Sequence, residues 1–171
     1  EQGNLSPNKS FAKDAEPEEE SWQEYLMNIL QTLSPGAFES LAQRILRESG
    51  VDQVEVTGRS GDGGIDGSGV LKIAGFISFR VQFQCKRWQK PIPVKEVRDF
   101  GGSLRGRDAK GIFITTSTFT KDAVKEASRE GAEIDLIDGV ALVKKIKSLG
   151  LGLKITNVEK VEIDQAWFEE L

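Results

Sequence analysis

The chain has 171 residues, 38% hydrophobic and 29% charged, with a net charge of −4; this is enough for one domain with a proper core, in the balance of an ordinary globular protein. It has no His, a single Cys and no apolar run near the roughly 20 residues of a membrane span. His-based triads, His-containing zinc sites and an internal disulfide are thereby excluded, so proton transfer and metal ligation fall to carboxylates, amides, Lys and water.

Residues 1–20 carry six acids and two bases, with Pro7, Pro17 and no apolar period; they read as an acidic, disordered linker. Beginning at Glu1 rather than Met, the chain reads as a fragment of something longer. No signal peptide is visible, and a lone thiol fits a reducing, cytoplasmic compartment. Ser21 and Glu24 make a capping box, and Trp22, Leu26, Ile29, Leu30 and Leu33 follow a helical period. Ser34-Pro35 ends that helix and starts another, whose stripe is Phe38, Leu41, Ala42, Ile45 and Leu46 and whose stop is Ser49-Gly50. Gln53 to Thr57 alternates as a strand. After a glycine-rich turn, strands are expected over Gly67 to Lys72 and Ile77 to Trp88, with Gly75 between them. Val94, Val97, Gly101 and Leu104 space as a helix, with Lys95, Arg98 and Arg105 on its far side. Gly111 to Thr116 is a buried strand, Thr120 to Arg129 a helix, Ile134 to Ile137 a short strand and Gly139 to Leu149 a helix. This order argues an α/β sandwich with a central mixed sheet, an antiparallel meander followed by βαβ crossovers.

The chemistry concentrates in two places. The turn Gly61-Asp62-Gly63-Gly64-Ile65-Asp66-Gly67 lacks the spacing of a P-loop, a dinucleotide fingerprint or a calcium loop. Turn geometry accounts for its glycines and Asp62, but not for Asp66, which follows an apolar residue at the start of a strand. Eighteen residues on, Val81, Phe83 and Cys85 alternate with Gln82, Gln84 and Lys86, which puts Gln84 and Lys86 together on one face of a strand. A solvated face is the ordinary reading of a Gln-x-Lys pair, yet the neighbouring pattern is that of a covered strand, where such groups need partners. An acid, an amide oxygen and an ammonium at a strand edge suit a hydrated divalent metal acting on a phosphate. Glu39, beside the apolar stripe of the second helix, is either a solvated rim residue or an acid reaching over the sheet toward that metal. Cys85 reads as a core thiol, and Trp22 and Trp88 as packing residues. Residues 80–110 hold nine bases and three acids, a local phosphate-binding surface within an acidic chain.

Taken in order, these pieces resemble the catalytic domain of Mrr-type restriction endonucleases, within the PD-(D/E)xK nuclease superfamily. The matching runs are Ser34-Pro35 with Phe38-Glu39, Val56-Thr57-Gly58, Gly61 to Asp66, Gln84-Cys85-Lys86-Arg87-Trp88, Gly111 to Thr116 with Phe119-Thr120, and Leu136-Ile137-Asp138-Gly139. The resemblance implies a restriction-endonuclease-like α-β-β-β-α-β core over residues 21–152, including the N-terminal helix, with 153–171 as an extension packing on it. It further implies a Mg²⁺-dependent DNA endonuclease, with Mn²⁺ as a substitute, acting on modified (methylated) DNA. A branched-DNA resolvase or repair nuclease, and a non-catalytic DNA-binding module, are the alternatives. Asp66 matches the first metal-binding acid, Lys86 the signature Lys and Glu39 the acid of the first core helix. Gln84 stands where relatives outside this branch carry Asp or Glu, which lowers the negative charge facing the ion. In this reading Asp66, the Gln84 side-chain oxygen and the Cys85 backbone carbonyl hold the ion. Lys86 orients or deprotonates the attacking water and offsets charge on the phosphate, while Glu39 acts through a water. Arg87, Lys95, Arg98 and Arg105 are expected on the DNA backbone. A homodimer would supply two sites for two strands, and recognition would belong to a separate N-terminal domain; no membrane is implied.

Overall fold

The structure, a computed structural model, describes residues 21–56, 64–104, 108–131, 133–156, 162–163 and 165–170. The stretch 1–20, the Gly61-Asp62-Gly63 part of the turn, Thr57-Gly58 and Arg105 lie outside those residues. Helix α1 (Trp22–Thr32) begins on the complete capping box of Ser21 and Glu24, so two backbone donors that the helix leaves open are satisfied locally. Helix α2 (Pro35–Glu48) begins on Ser34, whose side chain accepts from the Ala37 N–H.

Five strands follow: β1 (Val51–Val56), β2 (Gly67–Ile73), β3 (Ile77–Lys86), β4 (Ala109–Thr115) and β5 (Ile134–Ile137). Their spatial order is the chain order, with β1, β2 and β3 antiparallel and β3, β4 and β5 parallel. The parallel steps need crossovers, supplied by α3 (Val94–Leu104) and α4 (Lys121–Ala127). Helix α5 (Gly139–Ser148) and the short α6 (Gln165–Glu169) close the chain.

Several boundaries differ from the sequence reading by one or two residues: β4 starts at Ala109 and ends at Thr115, β2 runs on to Ile73 and α4 stops at Ala127. Two of the shifts have a plain cause. Strand β1 starts two residues earlier than the alternation suggests, because a bulge between Asp52 and Glu55, with Gln53 at φ 51°, interrupts the period. Strand β3 ends at Lys86 rather than Trp88, where its ladder to β4 stops at the pair Lys86 and Thr115.

The sheet separates two apolar layers. On one face α3 and α4 cover Phe113, whose ring meets Phe100 and Phe119 edge to face at 5.7 and 5.5 Å. On the other, α1, α2 and α5 cover Ile114 and Cys85. Consecutive residues of β4 thus serve opposite cores, as the strand period demands. In the C-terminal extension Leu153 packs against the second layer, whereas α6 buries none of its residues. Among the described residues, no helix is long and apolar enough to cross a membrane.

Glycines let the meander close. A Cβ on Gly67 would lie 2.4 Å from the Glu55 carbonyl oxygen and 2.5 Å from the Phe83 ring. Gly67→Ala is therefore expected to cost about 1–3 kcal/mol through forced displacement of packed groups. Urea unfolding should show a lower midpoint at unchanged slope; an unchanged midpoint would mean the backbone approach is looser than this.

Candidate functional site

Strand β2 leaves β3 at Gly67, which is paired with Phe83. The last residues of β3, Gln84 to Lys86, remain paired with β4 on their other side. One edge of β3 is therefore open there, and Asp66 fills it. Its N–H donates to the Phe83 carbonyl at 2.9 Å, and its carboxylate accepts from the Cys85 N–H at 2.6 Å and from the Cys85 thiol at 3.3 Å. Ile65 is buried in the α3–α4 layer. The residue after it turns the other way, toward Cys85 and the α2 layer.

Glu39 on α2 completes this half of the site. Its carboxyl is held above the usual range, first by burial and then by the nearby Asp66 carboxylate. The Cys85 thiol is pushed far up by burial, by the Asp66 charge and hydrogen bond, and by Glu39, so it stays protonated. Cys85 is half-buried rather than a fully enclosed core thiol. Both its backbone N–H and its thiol face the Asp66 carboxylate.

The other half lies on the α3 side of β3. Gln84 and Lys86 line an open cleft of about 630 Å³ with Gly64, Lys95, Glu96 and Arg98. Asp66 does not line it: its carboxylate sits at the strand edge, one residue away along β3. The sequence reading put acid, amide and ammonium at one point, whereas the structure distributes them around the β3 backbone. Gln84 is only 7% exposed, and its Oε1 has no hydrogen-bond partner among the described residues. A buried, orphaned amide oxygen is costly unless something accepts its lone pairs. Gly64, at φ 86°, lies so close that a Cβ there would meet the Gln84 Nε2 at 2.3 Å. The last glycine before Ile65 thus makes room for the amide.

Lys86 donates to Glu96 of α3, and its ammonium stands 4.9 Å from the Trp88 ring centre. Its carbonyl accepts from the Thr115 hydroxyl at 2.8 Å; Thr116 donates to the Trp88 carbonyl at 2.7 Å and Ser117 to the Gln89 carbonyl at 3.1 Å. These three buried hydroxyls pin the backbone that carries Lys86. The sequence reading missed Glu96 and gave the hydroxyl run no role. Its only signal was polar residues closing an otherwise apolar strand. Trp88, read as a packing residue, is 37% exposed and serves as the platform under Lys86. Trp22 is likewise 41% exposed, with the Lys147 ammonium 5.1 Å from its ring centre.

The expected DNA contacts divide. Lys95 and Arg98 line the cleft, are exposed, and pair with Asp99 and Glu126 at 2.7 and 3.4 Å. Arg87 turns away from the cleft and donates to the Gln31 carbonyl in the last turn of α1 at 2.5 Å. A cation at a helix C-terminus is stabilising, so Arg87 acts as a clamp on α1. Among the described residues no three His, Cys, Asp or Glu side chains gather as a cage for an ion. The donors present are one anchored carboxylate, one orphaned amide oxygen and the Cys85 carbonyl, with Glu39 nearby. Oxygen donors of this kind, Asp66 at the strand edge and Gln84 on the α3 side, are of the type a hydrated divalent ion takes.

Because the folded protein holds the Glu39 proton more tightly than the unfolded chain, stability falls as pH rises through its raised carboxyl range. Glu39→Gln should accordingly melt higher than the parent at pH 7 in EDTA, with the gain shrinking as the pH falls to 4. A variant no more stable at pH 7 would show that the two carboxyls do not oppose each other.

Comparison with known proteins bears on the family and the fold. A family model described as a restriction endonuclease matches residues 30–146. The type IV methyl-directed restriction enzyme EcoKMrr of Escherichia coli (strain K12) is 35% identical over 148 residues, covering 82% of this chain and 47% of that protein. The chain thus spans about half the length of this curated relative. Among solved structures, the DNA modification-dependent restriction endonuclease AspBHI aligns with a TM-score of 0.64 at 23% identity, over 75% of this chain and 36% of its own. The MspJI restriction endonuclease, in complex with a 27-mer oligonucleotide, aligns with a TM-score of 0.63 at 27% identity, over 84% and 35%. These likenesses bear on the fold, a mixed sheet flanked by helices in the restriction-endonuclease manner. The matched family model and the Escherichia coli relative together show that this chain belongs to the Mrr-type restriction endonuclease family.

Proposed function

We propose that this domain is the DNA-cutting module of a restriction enzyme, hydrolysing phosphodiester bonds with a divalent cation, Mg²⁺ by preference, in modified (methylated) DNA. The observation that carries the reading is the buried Gln84 Oε1, which has no partner among the described residues. It shares a cation-lined cleft with Lys86, one residue from the backbone amide that Asp66 holds. The preference for modified DNA rests on the relatives, one described as methyl-directed and one as modification-dependent.

Asp66, the Gln84 amide oxygen and the Cys85 carbonyl would hold the cation, with Glu39 acting through water. When bound, the cation supplies Lewis-acid polarisation of the scissile phosphate. The chain's own groups do the rest. Asp66 arrives already oriented by its hydrogen bonds to Cys85, so its carboxylate loses little freedom on engaging a ligand. Lys86 presents a positive charge beside the orphaned amide, where it orients the attacking water and offsets charge developing on the phosphate. Lys95 exchanges its exposed Asp99 partner, which is weakly held, and Arg98 its half-buried Glu126 partner for DNA phosphates. A second copy would provide the second cut in a duplex, and the remainder of the full-length protein would select the site.

Supercoiled plasmid from a methylating host should be nicked and linearised by the protein with Mg²⁺ and spared in EDTA. Asp66→Ala and Lys86→Ala should each cut at least about 100-fold more slowly, the usual scale for a positioned catalytic group. If both variants cut at the parent's rate, the assignment is wrong. Phosphate contacts are read separately: Lys95→Ala and Arg98→Ala should each flatten the slope of log affinity against log salt by about 0.9. An unchanged slope would remove that residue from the DNA face.

A further inference from the structure

We infer that Glu96 is a positioning residue of this site: from the first turn of α3 it holds the Lys86 ammonium in place, and it does so by drawing negative charge into a cleft meant for DNA. The inference rests on the nuclease reading and names a group that the family pattern on β2 and β3 does not include.

Lys86 has four rotatable bonds and stands at the end of β3, where nothing in the strand itself fixes its side chain. Two groups do so from outside. Glu96 accepts from Nζ, and the Trp88 ring faces the same ammonium at 4.9 Å. The pair is well covered, with side chains 24% and 21% exposed, against 77% and 56% for the neighbouring Lys95–Asp99 pair. An ion pair as exposed as Lys95–Asp99 contributes little. The covered pair has poorer access to water and a second partner, so its geometry is set by the protein. The backbone beneath is fixed too, because the Lys86 carbonyl accepts from both the Thr115 hydroxyl and the Trp88 N–H. Carboxylate and ring thus locate the ammonium, and the hydroxyl fixes the backbone that carries it. Helix-dipole stabilisation also favours an acid in the first turn of α3, but that role needs no contact with Lys86.

The two roles make opposed predictions. A carboxylate in a DNA-binding cleft repels phosphate, so removing its charge should help binding while harming the cut. Glu96→Gln is expected to lower kcat on methylated plasmid by roughly 10- to 100-fold, the scale of a misplaced reacting group. In EDTA its affinity for a duplex should be equal to the parent's or up to about fivefold tighter at low salt. Glu96→Asp, which keeps the charge, should recover part of the rate. In a Lys86→Met background Glu96→Gln should cause no further loss, because the residue acts only through Lys86. The inference is overturned if Glu96→Gln cuts like the parent, if its binding weakens in step with its cutting, or if it slows the Lys86→Met protein equally. A parent that does not cut with Mg²⁺ would instead refute the nuclease reading itself, and this assignment with it.

Discussion

The site depends on one hydrogen bond, from the Cys85 N–H to the Asp66 carboxylate at 2.6 Å. Where β2 peels away from β3, the departing strand would leave a backbone donor unpaired. Buried donors without partners are costly, on the order of 1–3 kcal/mol. Asp66 supplies the partner, and in doing so a charged group is fixed at the mouth of the split. The fold needs an acceptor at that place, and the proposed chemistry would use the same acid. The position of the carboxylate is thereby tied to the integrity of the sheet.

The arrangement stores electrostatic tension. Glu39 and Asp66 raise one another's cost, and the Glu39 carboxyl is accordingly held above its usual range. The Gln84 oxygen is enclosed without a partner among the described residues, as are the Gln82 oxygen and the Arg87 Nε. Such groups do not help a folded chain by themselves, whereas the buried hydroxyls of Thr115, Thr116 and Ser117 are satisfied. Under the proposed function, a cation would relieve both the Gln84 oxygen and the Glu39 carboxyl.

Much of this was legible in the sequence because the signals were local. The capping box of Ser21 and Glu24 and the Ser34-Pro35 junction announce two helices through backbone chemistry alone. The alternation from Val81 to Lys86 places Gln84 and Lys86 on one face, which the structure keeps. Other features were illegible because they depend on distant pairings. Glu96 reads as an ordinary first-turn acid until α3 is folded over the sheet. Arg87 belongs to the same basic run as Lys95, yet packing sends it to the end of α1. The separation of Asp66 from the cleft follows from Ile65 entering the opposite core, a choice of side that a glycine-rich turn leaves undetermined.

The hydroxyl run at the end of β4 has a kinetic consequence. Thr115 reaches the Lys86 carbonyl across 29 residues of chain, and the parallel pair they belong to forms only after the α3 crossover has closed. Contacts of such long sequence separation are slow to form. A chain part-way through folding therefore carries Lys86 on an unanchored segment, with neither the carboxylate of α3 nor the ring of Trp88 in place. The surroundings of that ammonium are complete only once the parallel half of the sheet has closed.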